Sequence, residues 1–180
     1  REEILRNIAE LDQLVDEILL ASRLDAREAD VGTVELVDLI GLAAEECARV
    51  DAELDVTAVP EGLEVRGVAK LLRRALRNLL ENARRYSQGD ITVVLQRHDG
   101  QAQLSVLDRG PGVPPALRER IFEPFYRLPG ASERAGGVGL GLALVRSIAQ
   151  RHNGSVRCED QPDGSGGACF VLRLPLALTK

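Results

Sequence analysis

Two asparagines four residues apart stand among apolar residues in "LRNLLENARRYS", Leu76 to Ser87. On a helix, Asn78 and Asn82 share one face, a turn apart. Leu72, Leu76, Leu79, Leu80 and Ala83 would pack the same helix. A buried carboxamide is costly unless something bonds to it, so each is either a satisfied core amide or one kept for a ligand. Arg85 and Tyr86 follow directly. Further on, "LDRGPGVP" sets Asp108 at a strand end with Gly110 and Gly112 behind it. Such a carboxylate either closes a turn or faces a ligand. Phe122 and Phe125 in "IFEPFYR" read, in isolation, as core aromatics. Last, "GGVGLGLALV" opens a helix with Gly136, Gly137, Gly139 and Gly141. A helix start of that kind can hold phosphate through backbone N–H groups and the helix dipole. It follows no strand and lacks Gly-Lys-Ser/Thr, so it is neither a dinucleotide fingerprint nor a P-loop.

The elements that must position these residues are legible in outline. "REEILRNIAELDQLVDEILLASRLD" is helical, with Ile4, Ile8, Leu11, Val15 and Ile18 as a heptad seam that Leu5, Leu14 and Leu19 widen. A lone helix cannot bury that face, and packing in a bundle with helices outside this chain is the favoured reading. "LDAREADVG" is a polar linker, and "TVELVDLIGLAAEECARVDAEL" reads as a short strand running into an amphipathic helix. "DVTAV" and "LEVRG" are expected as short strands about the Pro60-Glu61-Gly62 turn, followed by a helix from Val68 to Tyr86. "DITVVLQRHDGQAQLSVLD" alternates on both sides of Asp99-Gly100, a hairpin signal. "PPALRERIF" is expected as a short helix, "GLALVRSIAQRHN" as a longer one, and "GSVRCED" and "ACFVLRLPL" as closing strands. About seven strands and three main helices in mixed order fit an α/β sandwich, helices on one face of a mostly antiparallel sheet.

Composition narrows the function. The 180 residues are 44% apolar but only 3% aromatic, enough for a globular domain whose core is built from Leu, Val, Ala and Ile. A net charge of -5 gives no reason to expect nucleic-acid binding. No apolar run can span a bilayer. Cys47, Cys158 and Cys169 lack metal-ligand spacing and are expected as free, partly buried thiols in a reducing cytosol. There is no methionine, not even at position 1, so the chain reads as a piece of a longer protein.

In their order the four stretches resemble the N box, first glycine box, F box and second glycine box of the bacterial two-component sensor histidine kinases. These belong with the gyrases, heat-shock chaperones and mismatch-repair ATPases in one superfamily. The resemblance runs over essentially the whole chain. Residues 1–26 look like the second helix of the dimerisation domain. Residues 27–180 look like the catalytic ATP-binding domain of the Bergerat type, a mixed sheet with helices on one face, closing on "FVLRLP".

The resemblance implies that Asn82 ligates Mg²⁺, a hard cation suited to carboxamide oxygen and phosphate, with Asn78 beside it. Arg85 stands where the family usually has Lys or His and could still pair with phosphate. Tyr86 would flank the nucleotide. Asp108 matches the acceptor for the adenine amino group, and Gly110 and Gly112 would let the backbone pass near the base. Gly137, Val138, Gly139, Leu140 and Gly141 would hold the polyphosphate. Arg127 to Ala135 matches the ATP lid, with Phe122 and Phe125 anchoring its base. Glu81 is expected to assist the phosphoacceptor or, in a hydrolysing relative, to activate water. Glu81 and Asn82 are therefore the expected catalytic pair.

Nothing in the chain matches the family's acceptor box. His98 is expected to be exposed and His152 to be structural. The resemblance thus implies a histidine kinase that binds Mg-ATP and phosphorylates a histidine outside this chain, for relay to the receiver domain of a response regulator. A homodimer formed through the dimerisation domain is implied, with no nucleic acid and no membrane contact by this chain. It would be cytoplasmic, its parent anchored in the inner membrane. The alternatives are an ATP-hydrolysing switch, a serine kinase that inhibits a sigma factor, or a degenerate ATP-binding module.

Overall fold

The computed structural model describes residues 1–25, 31–128 and 139–178. Helix α1 (Glu2–Asp25) comes first, then β1 (Glu35–Asp38), α2 (Leu39–Val50), β2 (Glu53–Asp55), β3 (Glu64–Gly67) and α3 (Ala69–Tyr86). The hairpin β4 (Thr92–His98) and β5 (Gln101–Leu107) follows, then α4 (Gly141–Arg151), β6 (Ser155–Glu159) and β7 (Cys169–Pro175). Five strands form one sheet in the order β2-β4-β5-β7-β6, parallel only between β2 and β4. A second, two-stranded sheet joins β1 to β3. The hairpin turns on Asp99 and Gly100, both at positive φ (49° and 75°), as a two-residue type I′ turn requires.

Alternation along the large sheet sends Val93, Leu95, Leu104, Val106, Phe170, Leu172 and Leu174 into one core. The helices meet them there through Leu71, Leu72, Leu76, Leu79 and Leu80 of α3 and Leu144, Val145 and Ile148 of α4. Phe122 meets Phe170 edge to face at 6.2 Å. The three cysteines are free and buried. Burial pushes their thiols up, to about 11 for Cys47, about 12 for Cys158 and about 11 for Cys169.

Two local expectations need correction, the strand over "DVTAV" and the helix over "PPALRERIF". The strand expected over "DVTAV" lies two residues earlier, at Glu53–Asp55, because β2 is defined by parallel pairing with β4. Asp55 Oδ1 then accepts from both the backbone N–H and the hydroxyl of Thr57, turning the chain away. "PPALRERIF" is not an α-helix but two 3₁₀ turns, Pro115–Leu117 and Arg120–Phe122. So short a segment cannot repay helix nucleation and closes i→i+3 bonds instead. The heptad seam of α1 is largely exposed, with Ile4 at 63%, Leu11 at 60% and Val15 at 51%. Only the C-terminal part of α1 joins the core, through Leu20, Ala21 and Leu24.

Helix α3 starts without a side-chain cap. Its first turn is held by His152, whose Nε2 accepts from the Val68 N–H at 3.1 Å. Nδ1 lies 2.8 Å from the Ile148 carbonyl and donates to it, so the two bonds select the neutral ring. A Cβ on Gly67 would strike this ring at 2.6 Å. Burial holds the His152 pKa below its ordinary 6.5; the Ile148 bond opposes this and Arg151 adds to it. The unfolded chain therefore takes up the proton first. The stability due to neutral His152 should be full above pH 6.5 and fall as pH drops from there toward the lowered folded value. Denaturant titrations at pH 5.5 and 7.5 should show less stable protein at the lower pH. In His152→Ala that contribution should vanish, with about 2 kcal/mol lost at pH 7.5 because the Val68 N–H is left unpaired.

Candidate functional site

A cleft of about 730 Å³ opens between α1, α3, α4 and the loop after β5. It lies within the size range of small-molecule sites. Its walls include Asn78, Glu81, Asn82, Arg85 and Tyr86 from α3, Asp108 and Gly112 from the loop, and Gly139, Leu140 and Gly141 at the start of α4. Residues expected to act together from three separate stretches thus share one cavity, while Phe122 and Phe125 of the fourth do not line it. Gly137 and Val138, with most of the stretch matched to the lid, lie outside the described residues.

Asp108 is 3% exposed. Its Oδ1 accepts from the backbone N–H of Gly110 at 2.9 Å and of Ala168 at 3.0 Å. Oδ2 makes no hydrogen bond to a described residue, so an acceptor oxygen is available to a ligand in the cleft. Gly110 passes so near the end of α3 that a Cβ would sit 2.3 Å from the Tyr86 carbonyl oxygen. Gly112 (φ +76°) faces the Gly167 carbonyl instead. The observed reason for both glycines is therefore backbone against backbone. Buried Ser87 ties α3 to this loop, its Oγ accepting from the N–H groups of Gly89 and Arg109 at 3.2 Å each.

The two asparagines differ. Asn78, 5% exposed, donates from Nδ2 to the Gly141 carbonyl at 3.2 Å and so links α3 to the first turn of α4. Asn82 is half-buried, lines the cleft, and bonds through its side chain to no described residue. Gly139 (φ +82°) sits against the Tyr126 and Phe125 backbone, where a Cβ would come within 2.6 Å of the Tyr126 oxygen. The Phe125 N–H donates to the Gly139 carbonyl. The Phe125 side chain itself is 63% exposed at φ 66°, so only Phe122 of the pair is a core anchor. Tyr126, with Arg120 stacked over its ring at 4.9 Å, lines the cleft instead.

The sequence offered no signal that α1 would wall the cleft, which it does through Asn7, Gln13, Leu14 and Glu17. Glu17 pairs with Arg74 at 3.5 Å. Burial pushes the Glu17 carboxyl up and the charge of Glu81 adds to this, against Arg74 and Arg85. His98 is exposed at the hairpin tip, and both ring nitrogens of His152 are occupied.

Residues 67–178 match the model of the histidine kinase-, DNA gyrase B-, and HSP90-like ATPases. The chain belongs to that family. As an ATPase-family domain it is similar to the sensor histidine kinase CpxA of Escherichia coli K12, with 38% identity over 172 residues. That match covers 92% of this chain and 37% of CpxA. Among solved structures it resembles the mycobacterial sensor histidine kinase MprB, at 32% identity and a TM-score of 0.69, over 82% of this chain and 100% of that one. It also resembles full-length ShkA, solved in complex with AMPPNP, at 28% identity and a TM-score of 0.77. There the match covers 98% of this chain and 38% of ShkA. The domain spans less than half the length of the curated relatives it matches. It is the ATP-binding domain of a two-component sensor histidine kinase. No helix among its described residues is long and apolar enough to cross a membrane.

Proposed function

We propose that this domain binds Mg-ATP in the cleft and, within a longer protein, serves transfer of the γ-phosphoryl group to a histidine outside this chain. The observation that carries the reading is the meeting of Asp108, Asn82 and the Gly139–Gly141 helix start on one cavity. Asp108 Oδ2 would accept from the adenine amino group. The N-terminus of α4 would face the phosphates, where helix N–H groups and dipole favour negative charge. The donor set suits Mg²⁺ held partly by phosphate, since Asn82 offers an unengaged hard oxygen. Mg²⁺, when bound, neutralises phosphate charge. The remaining contribution of the domain is to orient the γ-phosphorus toward an incoming imidazole nitrogen, with ADP as leaving group. Glu81, beside Asn82 on the cleft wall, would assist that imidazole.

The phosphoryl group would pass on to an aspartate in a response-regulator receiver domain. Helix α1 would be the second helix of the dimerisation domain, residues 1–26, ahead of a catalytic domain from 27 to 180. Its exposed apolar seam supports pairing into a homodimer through further helices. The boundary itself falls among residues outside the described ones. CpxA and MprB carry sensor-kinase names, and ShkA binds AMPPNP, which supports the same reading by likeness.

Calorimetric titration with a non-hydrolysable ATP analogue, with and without Mg²⁺, tests the metal role of Asn82. Asn82→Ala should bind the analogue at least roughly tenfold more weakly in Mg²⁺ and about equally without it. Equal loss in both conditions would assign Asn82 to packing. No binding by folded, unaltered chain would favour a degenerate ATP-binding module.

A further inference from the structure

We propose that Gln161, outside every motif of the ATP site, is a positioning residue that aims the Asp108 carboxylate. The inference rests on the reading of Asp108 as the acceptor for an exocyclic purine amine. In the register of β5 against β7, Leu107 faces Cys169, so Asp108 and Ala168 form the next opposed pair. The Asp108 N–H donates to the Ala168 carbonyl at 3.0 Å, as a hydrogen-bonded antiparallel pair requires. The reciprocal bond, from the Ala168 N–H to the Asp108 carbonyl, is not made. That N–H is diverted to the Asp108 side chain, reaching Oδ1 at 3.0 Å.

The diversion leaves the Asp108 carbonyl without its strand partner, and Gln161 supplies the replacement. Its side-chain Nε2 donates to the Asp108 carbonyl at 2.8 Å and to the Ala168 carbonyl at 3.1 Å. Two carbonyl oxygens around one amide end admit only the NH₂ group there. Gln161 is 7% exposed, so water is a poor substitute. Gly167 (φ +111°) makes the room, since a Cβ there would lie 2.1 Å from the Asp108 carbonyl oxygen. Without the Gln161 amide, the Ala168 N–H is drawn back to the vacant carbonyl. The carboxylate then keeps only the Gly110 N–H and loses its fixed direction.

The test compares ATP with purine riboside triphosphate, which lacks the 6-amino group, by calorimetry on the whole chain. Gln161→Met keeps the side chain's length without its donor, and Gln161→Glu turns a carboxylate toward the two carbonyls. Either variant should lose ATP affinity about tenfold while binding the amino-free nucleotide within roughly twofold of the unaltered chain. Parallel loss of both nucleotides would mean a merely structural role, and unchanged ATP affinity would equally overturn the proposal. Asp108→Asn is run alongside. If it leaves the ratio of the two affinities unchanged, the adenine reading itself fails. If it collapses the ratio while the Gln161 variants do not, only the positioning role fails. In the unaltered chain both Gln161 side-chain amide protons should be protected from solvent exchange, and free exchange would overturn the proposal even if neither variant folds.

Discussion

Replacing Asp108 with asparagine is expected to lower ATP affinity about 100-fold and to remove the preference for adenine over guanine. The fold should survive. The asparagine Oδ1 can still accept from the N–H groups of Gly110 and Ala168. What changes is the second position of the side chain, where an NH₂ group replaces Oδ2 and meets the adenine amine donor to donor. A hydrogen bond to a charged group contributes about 1.5–3 kcal/mol, and leaving donors unpaired in a buried site adds to the loss. Guanine carries an oxygen at the matching position, so the variant should bind GTP better than the unaltered chain does. Calorimetry with the ATP and GTP analogues checks both effects. Binding of ATP within about threefold of the original would show that Asp108 serves the loop rather than the base.

Arg77→Ala is expected to cost about 3 kcal/mol of stability, read from the denaturant midpoint. Arg77 lies on α3 and bonds Glu46 of α2 through Nε at 3.0 Å and Nη2 at 2.9 Å. Glu46 is only 2% exposed, with Arg73 a further 3.4 Å partner. Burial by itself would raise the Glu46 carboxyl. The Arg77 hydrogen bonds and charge, then Arg49 and Arg73, outweigh it and hold the carboxyl below the ordinary 4.5. A lowered folded value stabilises above the ordinary one and is lost as pH falls through the folded value. The gap between Arg77→Ala and the original should therefore narrow in acid. Arg77 is 33% exposed, which places the expected cost at the lower end of the range for buried pairs. A change under about 1 kcal/mol would show that solvent screening dominates. The pair matters for the site because it sets α3 on α2, and α3 carries both asparagines to the cleft.

The motif stretches were legible because each is local. Helical spacing put Asn78 and Asn82 on one face, hairpin chemistry at Asp99-Gly100 set β4 against β5, and glycines at Gly139 and Gly141 opened α4. Expectations failed where a partner far along the chain decided the outcome. The extent of β2 follows from its pairing with β4, which no alternation within "DVTAV" encodes. Phe125 looked like Phe122's twin, yet its backbone N–H bonds Gly139 while its ring stays in solvent. For Asn78, which the residues left open as a core amide or one kept for a ligand, the fold supplies the Gly141 carbonyl as partner.

By itself, then, the sequence determined the family, the main helices and the β4–β5 hairpin, and it picked out the motif residues of α3, the loop after β5 and the start of α4 that line the cleft, because periodicity, turn chemistry and motif order are short-range properties. Only the tertiary structure decided how those residues are held. It diverted the Ala168 N–H to Asp108, brought Gln161 across from the β6–β7 turn, and laid α1 along the cleft with Glu17 on Arg74. Those are contacts between residues tens of positions apart, made by burying polar groups that must then find partners, and the satisfaction of such groups depends on the whole fold.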